Sequence, residues 1–79
     1  MKTEANFLRL ASHHRHVLIN FIKYRKPLSC EEYIRLTGCT YTEIMSAMHW
    51  CLILPSDGKW RLSQVGKKVI ETALKYGVL

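Results

Sequence analysis

Ser29-Cys30-Glu31-Glu32-Tyr33-Ile34-Arg35-Leu36-Thr37-Gly38-Cys39-Thr40-Tyr41-Thr42-Glu43-Ile44 contains two helix starts with one helix stop between them. Ser29 can accept a hydrogen bond from the Glu32 amide while the Glu32 carboxylate reaches back to the Ser29 amide, which is a capping box. It predicts a short helix from Cys30 to about Leu36. Gly38 stands where a helix C-cap needs a positive φ. Thr40 and Glu43 then repeat the capping logic, so a further helix starts at once and runs to about Cys51. Its apolar face is Ile44, Ala47, Met48 and Cys51. Cys39, between the two helices, is expected to fill their corner.

Outward from this unit, Pro27 ends whatever precedes it, because it has no amide hydrogen and pushes Lys26 out of helical geometry. Upstream, from Glu4 to about Arg25, the residues Phe7, Leu10, Ala11, His14, Leu18, Phe21 and Ile22 recur at helical steps. Either one amphipathic helix fills this segment, or Ser12 caps a helix from about His13 to Tyr24 after a leading turn. Downstream, Leu52-Ile53-Leu54 and Lys59-Trp60-Arg61-Leu62 flank Pro55-Ser56-Asp57-Gly58, which reads as a β-hairpin. Ser63 caps a last helix, about Gln64 to Tyr76, with Val65, Val69, Ile70, Ala73 and Leu74 inward and Gly77 past its end. Gly66 in its first turn weakens that helix by roughly 1 kcal/mol relative to Ala, unless close packing against the hairpin requires it.

The chain has 79 residues, 48% of them hydrophobic and 23% charged, which describes a single globular domain over residues 1–79. A chain of this size hides only roughly 60–65% of its unfolded surface, and a walled catalytic cleft of the usual ~300–1,000 Å³ is hard to fit into it. The expectation is a protein that is not an enzyme and needs no cofactor. Twelve Lys and Arg against six Asp and Glu give a formal charge of +6, an argument for phosphate backbones, anionic surfaces or acidic proteins as partners. Cys30, Cys39 and Cys51 are nine and twelve positions apart, matching neither a metal knuckle nor an even disulfide framework, and are read as reduced, mostly buried thiols. No run resembles a secretion signal or a membrane span, so a cytoplasmic location is expected.

Two helices joined by a short turn containing Gly, then a hairpin and a final helix, resemble the winged helix-turn-helix family. The resemblance runs from Pro27 to Glu71. It is carried by Leu28-Ser29-Cys30-Glu31-Glu32-Tyr33-Ile34, Thr37-Gly38-Cys39-Thr40, Ile44, Met48, Lys59-Trp60-Arg61-Leu62-Ser63 and Gly66-Lys67-Lys68-Val69-Ile70-Glu71. It implies a mainly α fold with a small β-hairpin: a three-helix core, a two-stranded wing and a C-terminal helix. It also implies double-stranded DNA binding. Carried over by position, the contacts are Thr40, Tyr41, Thr42, Met45, Ser46 and His49 on the third helix, with Lys59 and Arg61 on the wing. Hydroxyls at Thr42 and Ser46 suit phosphate oxygens or base edges. From Thr40 to Trp50 there is no Arg or Lys, and Glu43 adds a negative charge, a departure from the usual readers of guanine.

Further cations stand at Arg9, Arg15, Lys23, Arg25 and Lys26, and at Lys67, Lys68 and Lys75. Trp60 is expected to pack back on the helices, and Trp50 to bury one edge. His13 and His16 share a helix face, but no carboxylate or cysteine is near them in sequence, so no metal site is expected. The function expected is a small DNA-binding regulator of transcription. Homodimerisation is expected through residues 1–11, with Phe7, Leu8 and Leu10, and through the apolar C-terminus. The rival is a protein-interaction module, adaptor or inhibitor, gripping its partner with Tyr41, Met45, His49 and Trp50. No membrane association is expected.

Overall fold

A computed structural model describes residues 2–24 and 26–79, which form α1 (Lys2–His13), α2 (Arg15–Lys23), α3 (Cys30–Thr37), α4 (Tyr41–His49), β1 (Ile53–Ser56), β2 (Lys59–Leu62) and α5 (Gln64–Lys75). The architecture is mainly helical with one antiparallel hairpin. Arg25, counted among the cations above, lies outside the described residues.

Both capping boxes form. The Glu32 amide donates to Ser29 Oγ at 3.2 Å and the Ser29 amide to Glu32 at 3.0 Å, while Thr40 and Glu43 repeat the exchange at 3.1 and 2.9 Å. Gly38 takes φ 76° and donates its N–H to the Ile34 carbonyl, so α3 stops and the turn Gly38-Cys39-Thr40 redirects the chain into α4. Cys39 is buried in that corner, and Asn20 of α2 donates to its Sγ at 3.8 Å.

The N-terminal segment is neither one helix nor a turn capped by Ser12. It is two helices interrupted at His14, whose backbone opens to φ −118°, ψ 25°. The Leu10 carbonyl accepts both the His14 backbone N–H at 3.0 Å and the ring Nδ1–H at 2.9 Å, so the imidazole folds back over the preceding turn at the break.

α4 ends at His49, two residues before the expected Cys51. Cys51 has φ 59° and is exposed, with Leu52 beyond it buried, so the apolar stripe of α4 is continued by Leu52. Of the three thiols Cys39 alone is fully buried, Cys30 being half-buried; Trp50 is 55% exposed instead of edge-buried.

In the hairpin Ile53 faces Leu62 and Ser56 faces Lys59, which leaves Asp57-Gly58 as a two-residue turn at φ 53° and 74°. Two positive φ values are what a tight turn matched to strand twist requires. Pro55 and Ser56 therefore belong to β1 and not to the turn. Pro55 is opposite Trp60, whose own N–H points away from β1 and donates to the Leu28 carbonyl at 2.8 Å. The amide hydrogen that Pro55 lacks would point outward in the same way, so no ladder bond is lost.

The core runs through Val17, Leu18, Leu28, Tyr33, Ile44, Leu52, Ile53 and Val69, each 1% exposed or less, with Trp60 packed against it from β2. α1 lies along α5. Phe7, Leu10, Val78 and Leu79 pack on the core, Ala11 is fully buried, and the Tyr76 hydroxyl donates to the Glu4 carboxylate. The apolar residues on which the expected dimerisation segment rests are thus largely engaged inside the chain.

Candidate nucleic-acid interface

The front of α4 projects because its own cap holds it. Thr40, Tyr41 and Thr42 are exposed, Tyr41 by 61%, and His49 is exposed two turns beyond Thr42. Met45 is half-buried against the core and presents only part of its side chain. Ser46 is half-buried too, and its hydroxyl is engaged: His14 Nε2 lies 3.0 Å from Ser46 Oγ. A carbonyl only accepts, so His14 carries its proton on Nδ1 toward Leu10, and in the neutral ring Nε2 accepts from Ser46. Ser46 therefore seats α4 against the α1–α2 break, while Thr42 keeps its hydroxyl free of protein partners among the described residues.

A second clamp stands beside the first. His16 Nδ1 lies 2.8 Å from Glu43 Oε2 and its Nε2 lies 3.3 Å from the Thr37 carbonyl, so a protonated His16 donates to both α4 and the end of α3. Glu43 is held below the ordinary glutamate range first by the Thr40 amide, with His16 adding to the effect. The negative charge that breaks the pattern of a DNA reader is consumed in capping and clamping. A small recess of about 220 Å³ separates the α1–α2 break from the front of α4, lined by His13, His14, Val17, Thr42, Glu43 and Ser46. The three histidines thus part company. His14 is internal, His16 is a clamp, and His13 stays exposed at the rim of the recess.

On the hairpin the strand period puts Lys59 and Arg61 outward and Trp60 inward. Lys59 is near the start of α3: Glu32, lowered chiefly by its bonds to the Ser29 amide and hydroxyl, is lowered a little further by Lys59 and Arg35. Every described Lys and Arg side chain is exposed, and none lies within ion-pairing distance of a carboxylate among the described residues. Three of the six carboxylates are occupied otherwise: Glu32 and Glu43 in caps, Glu4 with Tyr76.

Sequence reasoning found the exposed front turn of α4 and the outward cations of β2. It missed the two histidine clamps, although the close spacing of His13, His14 and His16 was the available signal. No family of known proteins, no curated protein and no solved structure matches the chain. No helix among the described residues is long and apolar enough to cross a membrane.

Proposed function

We propose that the chain is a winged helix-turn-helix module that binds double-stranded DNA without catalysis, as a small regulator of transcription. The reading places the front turn of α4 toward the major groove and the hairpin against the sugar–phosphate backbone. The observation that carries it is an exposed, capped helix start together with a hairpin whose outward residues are Lys59 and Arg61, in a chain whose described Lys and Arg side chains have no carboxylate partners. Thr40, Tyr41, Thr42 and His49 are the surface offered to DNA, and the free amides of the first turn of α4 suit a phosphate. Met45 contributes an edge. Ser46 acts by seating the helix. The Leu28–Trp60 bridge ties the hairpin to the segment before α3.

Titration with random duplex DNA at several salt concentrations tests this. Neutralising Z phosphates gives a log–log slope near −0.9Z, roughly −4 to −6 for a small module. Lys59→Ala and Arg61→Ala should each weaken all sequences alike and flatten the slope by about one unit. Thr42→Ala should change sequence preference, and a chain with no salt-dependent affinity for duplex DNA removes the reading.

A second reading has its own observation. α4 has no Lys or Arg, and Tyr41 and Trp50 at its two ends are 61% and 55% exposed, which suits a protein partner. Tyr41→Ala and Trp50→Ala separate the readings. Loss of a protein partner with duplex affinity kept favours the adaptor, whereas loss of duplex affinity in Tyr41→Ala favours DNA.

A further inference from the structure

A concavity larger than the recess at α4 lies elsewhere. It lies between the end of α2, β2 and the first turns of α5, holds about 470 Å³, and is lined by no residue of α4. Three cations from three separate parts of the chain line it: Lys26 from the loop after α2, Arg61 from β2 and Lys67 from α5. All three are exposed, none has a carboxylate partner, and no Asp or Glu lines the groove among the described residues. Bringing like charges round one concavity is unfavourable unless an anion is there to answer them.

The rest of the wall is flat and apolar. Phe21, Tyr24, Pro27, Trp60 and Leu62 complete it. Phe21 is held in place by stacking on Tyr33, with ring centroids 4.7 Å apart and planes 24° apart. Trp60 is fixed in the core and shows 8% of its surface. Lys23 Nζ stands 5.6 Å from the centre of the Tyr24 ring. A groove with an aromatic and proline wall and a cationic mouth matches a ligand that joins a flat ring to a phosphate. At neutral pH a phosphomonoester carries about −1.5 to −2 charges and three acceptor oxygens, enough to engage the guanidinium and both ammonium groups.

We propose that this groove is a binding site for a nucleotide phosphomonoester, the base against the Phe21–Tyr24–Trp60 wall and the phosphate among Lys26, Arg61 and Lys67. The same chemistry is offered by a free nucleoside monophosphate and by the 5′-phosphorylated end of a single strand. The site does not depend on α4 reading duplex DNA, and its test contains no duplex.

Trp50→Phe leaves Trp60 as the single tryptophan of the chain, and thymidine monophosphate titrated into that protein is followed by Trp60 emission and by calorimetry. A saturable response is expected, with thymidine and inorganic phosphate each at least ~10-fold weaker. In the same background Lys26→Ala with Lys67→Ala should raise the dissociation constant ~10-fold or more, since both side chains are exposed and their removal leaves the fold intact. A short 5′-phosphorylated oligothymidylate separates the sources: tighter binding than the mononucleotide points to a strand end, equal or weaker binding to the free nucleotide. No saturable response to thymidine monophosphate, binding no better than that of its two parts, or affinity unchanged in the double variant overturns the proposal.

Discussion

Gly66 shows how one missing side chain fixes the position of a helix. A Cβ built there would collide with the Leu52 carbonyl oxygen, the same oxygen that accepts the Ser63 N–H and hydroxyl at 3.0 Å. Helix propensity alone makes Gly66→Ala a gain of about 1 kcal/mol. Packing reverses the sign, because the obstacle is backbone already committed to the cap of α5. Gly66→Ala is expected to lower stability by about 2 kcal/mol or more in urea unfolding. Tyr33 is the opposite case. Its ring is 1% exposed and stacked on Phe21, yet its hydroxyl is buried with no hydrogen-bond partner, and burial pushes the phenol well above its ordinary pKa. Tyr33→Phe removes an unsatisfied group and keeps the packing, so it should leave stability unchanged or raise it by up to ~1 kcal/mol. A drop of that size in thermal unfolding would show that the hydroxyl has a partner.

At the scale of elements, α3 and α4 depend on their caps more than on their length, since eight- and nine-residue helices are marginal by themselves. Thr40→Ala should cost about 1 kcal/mol. The two capping glutamates add a pH dependence of definite sign. Accepting the Ser29 and Thr40 amides lowers the pKa of Glu32 and Glu43 below the unfolded value of ~4.3. A lowered carboxyl contributes stability above the unfolded pKa and loses it as pH falls through the folded one. Glu32→Gln with Glu43→Gln keeps the reciprocal hydrogen bonds and removes the titration, so the double variant should lose less stability than the parent chain between about pH 5 and pH 3. The caps, Gly38 and the period of β2 were legible because each is written within a few residues. The break at His14 was not, since it depends on Leu10 and on Ser46, far away in the chain. Pro55 misled for a physical reason: as a usual turn former it drew the turn two residues early, whereas the positive φ values of Asp57 and Gly58 set it. The cationic groove was likewise invisible, because Lys26, Arg61 and Lys67 meet only after folding.

For the whole molecule the question is what α1 is for. A compact chain of this length has a radius of gyration of about 11.6 Å, and the value found is 11.7 Å, so α1 is folded back and not held out for a partner. It covers α5 with Phe7, Leu10 and the fully buried Ala11, and closes the far end through Glu4 and Tyr76. A domain this small has little stability to lose, on the order of 5 kcal/mol, and stripping one side from Val69, Ile70 and Ala73 should remove most of it. Deleting residues 1–12 also takes away the Leu10 carbonyl that orients His14, and with it the seat of Ser46 and α4. The truncated chain should therefore unfold at least ~10 °C lower than the full chain, or lose its cooperative transition altogether. A self-association segment would behave differently: the truncated chain would keep its transition and change only its sedimentation mass. Thermal unfolding and sedimentation equilibrium on the two chains separate the outcomes, and an intact transition in the shorter one would mean that α1 serves contact between molecules.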